Sequence, residues 1–137
     1  MEGISDEDLV RYGNQMVPPG FALVKAQIRQ LSSKEGTGQT AFEADDRFAN
    51  ALGTICGGYL TLMLDYSATT AAYAATGKLA PTIELKTNFI RPAKPGSFRG
   101  EAVVIKAGRS VIFVEARLYD ASDKLVATAQ LTAQVLA

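Results

Sequence analysis

One stretch limits what this chain can become more than any other. From Ile55 to Thr76 it reads Ile-Cys-Gly-Gly-Tyr-Leu-Thr-Leu-Met-Leu-Asp-Tyr-Ser-Ala-Thr-Thr-Ala-Ala-Tyr-Ala-Ala-Thr, and Gly77 follows. Its length, alanine content and closing glycine predict a helix rather than a strand. Apolar residues lie nearly all round that helix, so it is a buried one rather than a surface helix with one wet side. Asp65 is the only charge between Phe48 and Gly77. A membrane span is the rival reading, but a central aspartate among threonines makes insertion costly. The rest of the chain must therefore cover this helix.

After Pro81 the pattern changes to period two. Strands are predicted over Thr82–Ile90, Phe98–Ala107 and Val111–Tyr119, with turns at Arg91–Gly96, Gly108 and Asp120–Asp123. In the last strand Leu125, Ala127, Ala129, Leu131, Ala133 and Val135 face one way, and Val126, Thr128, Gln130, Thr132 and Gln134 the other. Four consecutive strands with short turns predict an antiparallel meander. Upstream, Ser5 can cap a short helix within the first fifteen residues, which Pro18-Pro19-Gly20 ends. Phe21–Ser33 reads as a strand, Gly36-Thr37-Gly38 as a turn, Gln39–Ala44 as a second strand, and Asp45–Gly53 as a loop or short helical turn. A one-sided sheet and a lone apolar helix solve each other's burial problem, which makes the class α+β. A helix of about 20 residues and strands of 9 or 10 both reach about 30 Å, so a twisted sheet can wrap the helix along its length. No repeat or linker divides the chain, and residues 1–137 are expected to form a single domain, with 1–20 as N-terminal helix and connector.

Composition narrows the chemistry. Fourteen basic residues cancel fourteen acidic ones among the 137, which leaves no electrostatic footprint for a nucleic acid. The chain contains no histidine, which excludes a Ser-His-Asp triad, a Cys-His pair and a His-ligated metal. Its one cysteine, Cys56, excludes an intrachain disulfide and a cysteine-rich zinc site. Neither metal nor cofactor is expected. The acidic start, Met1 to Asp8, does not read as a signal peptide, and the expected location is the cytoplasm. Carboxylates, hydroxyls, amides and backbone donors must carry any catalysis.

Asp65 is the first candidate, since an unpaired carboxylate buried among Leu62, Met63, Leu64 and Ala68 would cost several kcal/mol. Thr61 and Thr69 share its face. The alternative is a carboxylate on an exposed helix edge, or one held by a hydrogen bond. Gly57-Gly58 is the second candidate, because the first turn of a helix offers unpaired N–H groups to an oxyanion. Close packing would also explain those glycines. Asn50, just upstream, can add an amide donor or satisfy its own turn. Gly57 and Asp65 lie eight residues apart, about 12 Å of helix, whereas a base must come within about 3 Å of its water. One helix cannot easily supply both groups. Two copies crossing antiparallel can, which places the sites at a two-fold interface. Cys56 at a helix start invites a nucleophile reading, but no histidine is there to deprotonate it, and a small packing residue is the plainer account. Arg91, Lys94, Lys106 and Arg109 fall at turns and either form a phosphate-binding rim or are scattered surface charges.

Asn50-Ala-Leu-Gly-Thr-Ile-Cys-Gly57-Gly58, then Asp65, Thr82 and Phe89-Ile-Arg-Pro-Ala-Lys-Pro-Gly96, together resemble the hotdog-fold acyl-CoA thioesterases. The branch is the PaaI-like, phenylacetic-acid-pathway group, which includes the thioesterase superfamily member 2-like enzymes. The resemblance covers roughly residues 40 to 137. It implies a hotdog fold, a homodimer often paired into a dimer of dimers with sheets joined edge to edge, and coenzyme A as part of the substrate. It implies that Gly57 N–H and the Asn50 amide hold the thioester oxygen, and that Asp65 of the other subunit activates water or attacks directly. Thr82, where serine is frequent, would help to place the water. Cys56, Gly58, Arg91, Lys94 and Arg109 would then border the substrate. The family usually has His-Gly-Gly where this chain has Cys56-Gly57-Gly58. The backbone donor survives that change, and any imidazole role does not.

The expected activity is hydrolysis of an acyl-CoA thioester. An oxyanion donor worth roughly 3 kcal/mol and a base worth roughly 10²–10⁴ in rate suffice for so good a leaving group. A non-catalytic acyl or CoA binder is the alternative, and a structural dimerisation module the third reading.

Overall fold

The structure is a computed structural model and describes residues 3–136. Helix α1 spans Asp6–Gln15, and its N-cap Ser5 accepts a hydrogen bond from the Asp8 N–H at 3.0 Å. Pro18-Pro19 does more than end it. The Pro18 carbonyl accepts from the Phe21 and Ala22 N–H groups and starts a short helix α2, Pro19–Ala22, because proline at a first helical position already has the required φ. The strand expected from Phe21 therefore begins later, as β1 over Gln27–Ser32. Strand β2 runs from Thr37 to Ala44, with Thr37 inside the strand and not in the turn. A 3₁₀ turn covers Asp46–Phe48, and helix α3 spans Gly57–Thr76, stopping at Gly77. Strands β3 (Thr82–Phe89), β4 (Gly96–Ala107), β5 (Val111–Tyr119) and β6 (Leu125–Gln134) follow.

The six strands form one antiparallel sheet in the order β1-β2-β4-β5-β6-β3. Only β4, β5 and β6 make the expected meander. Strand β3 leaves it and pairs with β6 at the far edge, Thr82 opposite Ala133 and Phe89 opposite Ala127. The reason lies in the link from Ile90 to Pro95, whose two prolines suit no tight hairpin. That link crosses the start of α3 instead, where the Ala93 carbonyl accepts from the Ile55 N–H at 2.7 Å. The place beside β4 goes to β2.

Helix α3 touches all six strands. Its Leu60, Met63, Leu64, Ala68, Ala71 and Ala72 are buried against Phe42, Ile112, Val114, Leu118, Ala129 and Leu131 of the sheet. Each large side chain so buried contributes roughly 1.5–3 kcal/mol. Close approach depends on Gly100, opposite Thr40 on β2. A Cβ there would fall 2.1 Å from Ser67 Oγ and 2.4 Å from Thr40 Oγ1. Those two buried hydroxyls are 2.7 Å apart, and Ser67 also donates to the Met63 carbonyl at 2.8 Å. In β6 the alternation holds from Ala127 onward, but Val126 is buried against its predicted side, beside a register shift at Leu118/Tyr119.

The two edges of the sheet differ. Beside a bulge in β1, the Asn14 side chain of α1 donates to the Ile28 carbonyl at 2.9 Å and accepts from the Ile28 N–H at 2.8 Å. Strand β3 is the other edge, with Ile83 60% and Phe89 55% exposed.

Candidate active site

The chain entering α3 is a small closed loop. Ala49 and Ile55 bridge, the Asn50 N–H donates to the Thr54 carbonyl at 2.7 Å, and the Cys56 N–H to the Phe48 carbonyl at 2.8 Å. Asn50 holds this loop with its side chain: Oδ1 accepts from the Leu52 N–H at 2.9 Å and the Thr54 N–H at 3.2 Å. That fixes which way the amide faces. Nδ2 donates one hydrogen to Thr54 Oγ1 at 3.0 Å and keeps the second free. Asn50 is thus a turn residue, and its amide still has a donor to spare.

The loop delivers Gly57 and Gly58 to the first turn of α3. Neither N–H has an acceptor among the described residues, as the first turn of a helix leads one to expect. The two glycines have different surroundings. A Cβ on Gly58 would meet nothing within 4 Å, whereas one on Gly57 would meet Phe89 Cζ at 2.9 Å and two further ring atoms at 3.2 and 3.3 Å. Phe89, which opens the Phe89–Gly96 motif but has no role assigned from sequence, lays its ring on the Gly57 backbone. Cys56 is the N-cap, half-buried, and its side chain makes no capping bond.

Asp65 sits on the same helix, two turns on, and is half-buried. Thr82 Oγ1, at the first residue of β3, donates to Asp65 Oδ1 at 2.7 Å. The Thr69 hydroxyl donates to the Asp65 carbonyl at 2.9 Å, and Thr61 reaches Thr87 on β3 at 3.4 Å. The structure thus brings Asp65 together with Thr82 and holds Asn50 in the loop that leads to Gly57, with Gly57 and Asp65 about 12 Å apart along the helix axis.

The basic residues divide in the same way. Arg91 and Lys94 lie in the β3–β4 link over the helix start. Lys106 and Arg109 lie at the β4–β5 hairpin, the end of the sheet where Thr82 begins. A single rim within one chain is therefore not what forms, because the two pairs occupy opposite ends of strands about 30 Å long. Near the helix start Lys25 pairs with Glu43 and Arg47 with Asp45. Arg91, Lys94 and Arg109 form no ion pair among the described residues. No group of three acidic or cysteine side chains could hold a metal among those residues, and no helix among them is long and apolar enough to cross a membrane.

Comparison with known proteins gives three kinds of likeness. The sequence profile of the thioesterase superfamily matches residues 52–127. A protein of Saccharolobus solfataricus, provisionally named an esterase, is 30% identical over 110 residues, covering 80% of this chain and 72% of its own. A phenylacetic acid degradation-related protein of Ralstonia eutropha JMP134, provisionally described as a thioesterase, superposes with a TM-score of 0.83 at 33% identity, over 93% of this chain and 98% of that one. A Streptococcus mutans protein solved with acetyl CoA shares the fold, with a TM-score of 0.75 at 19% identity over 82% and 89% of the two chains.

Proposed function

Because this chain belongs to the thioesterase superfamily, as a hotdog protein similar to the phenylacetic-acid-pathway branch, we propose that it hydrolyses acyl-CoA thioesters at sites shared between two copies of itself. One observation carries the reading. The helix holds an oxyanion-ready first turn and a hydrogen-bonded carboxylate about 12 Å apart, too far to act on one carbonyl. Two antiparallel copies bring each group opposite its complement. Strand β3 supports this pairing, since it is a sheet edge that leaves Ile83 and Phe89 exposed.

In the proposed reaction the thioester oxygen accepts from the Gly57 N–H and the free Asn50 Nδ2 hydrogen of one protomer. Thr82 occupies Oδ1 of Asp65 on the other protomer, and Oδ2 takes the proton of a water. The water oxygen attacks the carbonyl carbon, the oxyanion collapses, the C–S bond breaks, and protonated Asp65 returns its proton to the departing thiolate. Cys56 and Gly58 border the thioester on either side of Gly57. Antiparallel β3–β3 pairing sets the Arg109 end of one protomer beside the Arg91 and Lys94 end of the other, so three cations without carboxylate partners can serve the phosphates of one coenzyme A. The chain 1–137 acts as one domain in this reading, and the S. mutans protein with its acetyl CoA is consistent with the ligand class.

The test is complementation. Gly57→Val and Asp65→Asn are each expected to cut free-thiol release from a panel of acyl-CoAs by at least about 10²-fold. After subunit exchange the mixture should recover up to about a quarter of wild-type activity, because half the dimers are mixed and each has one intact site. Two dead variants that stay dead when mixed, with dimer formation and exchange confirmed, would overturn the shared site. Tight acyl-CoA binding without turnover by the wild type would overturn the hydrolase.

A further inference from the structure

An apolar groove of about 450 Å³ runs beside the second half of α3. The helix contributes Tyr66, Thr69 and Tyr73, the N-terminal segment Met16 and Phe21, and the link before β3 contributes Leu79. The groove begins next to the acid. Tyr66 follows Asp65 in the chain, the Thr69 hydroxyl donates to the Asp65 carbonyl, and Pro81, another lining residue, precedes Thr82. The rings of Phe21 and Tyr66 meet at 5.0 Å. Tyr66 is 8% exposed, yet its hydroxyl has no hydrogen-bond partner among the described residues and is not sealed from solvent. A core tyrosine normally finds a partner. Here the accessible part lines the groove.

The dimensions specify an occupant. Tyr73 lies eight residues past Asp65, about 12 Å along the axis. A zigzag hydrocarbon with bonds of about 1.5 Å covers that distance in about eight to ten carbons. Acetyl would leave most of the space unfilled. We propose that this groove is the acyl-tail subsite, that the substrates are straight-chain acyl-CoAs of about eight to ten carbons, and that Tyr73 and Leu79 set the length limit. The assignment rests on the acyl-CoA reading above, and names where the tail goes.

The experiment measures kcat/KM for straight-chain acyl-CoAs from acetyl to tetradecanoyl, with phenylacetyl-CoA alongside, for the wild type, Leu79→Trp and Tyr73→Ala. Wild-type kcat/KM should rise by up to about fourfold per buried methylene and level off once the groove is full. Leu79 is 68% exposed, so tryptophan there adds bulk without entering the core. It should cut decanoyl-CoA turnover at least tenfold and acetyl-CoA turnover far less, while Tyr73→Ala should move the optimum to longer tails. Binding of free decanoate by calorimetry, present in the wild type and lost in Leu79→Trp, reads the groove without any chemistry. Decanoate binding with no acyl-CoA hydrolysed would keep the groove and remove the hydrolase. An identical length profile in wild type and Leu79→Trp, a preference for phenylacetyl over the alkyl series, or no decanoate binding would each overturn the groove and leave the hydrolase standing.

Discussion

Replacing Thr82 with valine tests the proposed mechanism at its hinge. Valine keeps the shape of threonine and suits a strand, so the fold should persist. What disappears is the hydrogen bond from Thr82 Oγ1 to Asp65 Oδ1 at 2.7 Å. A bond to a charged group contributes about 1.5–3 kcal/mol. Thr82 is exposed and Asp65 half-buried in the chain, so water competes and the lower end applies, about 1.5 kcal/mol or roughly tenfold in rate. The loss should fall on kcat with KM unchanged, because Thr82 touches the carboxylate and not the substrate. Thr82→Ser should restore the rate. Asp65→Asn removes the base itself and should cost roughly 10²–10⁴. The decisive measurement is the double variant, assayed by thiol release. If Thr82 acts only through the carboxylate, Thr82→Val should add nothing to Asp65→Asn. A further tenfold loss in the double variant, or an effect of Thr82→Val confined to KM, would refute the assignment.

Other outcomes follow from single distances. In Gly57→Ala the new methyl meets Phe89 Cζ at 2.9 Å, so kcat/KM should drop at least about tenfold while thermal stability barely changes, and Phe89→Ala in the same chain should recover much of the loss. Gly100→Ala drives a methyl into two buried hydroxyls. Overpacking and a broken buried hydrogen bond together should cost about 3–5 kcal/mol in denaturant titration, and a near-neutral result would show that α3 can lift off the sheet. Burial pushes the Tyr66 phenol above its ordinary 10.0, so the folded chain keeps that proton after the unfolded chain has lost it. Stability should fall as pH climbs from about 10 through the raised value, and Tyr66→Phe should flatten that slope in unfolding curves taken at stepped pH.

The readability of the sequence varied with the range of the interaction. Helix α3 was legible because its cause is local: alanines, leucines and a terminal glycine act within a few residues. The strand periods of β4, β5 and β6 were legible for the same reason. Strand β3 was found but placed wrongly, since its neighbour depends on how Pro92 and Pro95 route the link, and not on the strand itself. The region from Phe21 to Lys25 read as a strand because β-forming residues outweighed the helix-start signal of Pro18-Pro19. At the candidate site the separation of Gly57 from Asp65 needed only helix arithmetic. The contact between Phe89 and Gly57 spans thirty-two positions and left no pattern to read. Tyr66 and Tyr73 were visible as a seven-residue spacing, but a helix apolar on all sides gives no reason to pick one stripe. Arg109 and Arg91 look like neighbours by chain order, and the topology sets them at opposite ends of one chain's sheet.

Asn14 has a consequence for the size of any assembly. Its side chain imitates a neighbouring strand, offering Ile28 one donor and one acceptor in the places a backbone would use. A ribbon of strands grows without limit only if both margins accept newcomers. Here the Asn14 amide already occupies Ile28 on the β1 margin, so a strand added there would first have to displace it. One amide on a short helix thus guards that margin against a newcomer.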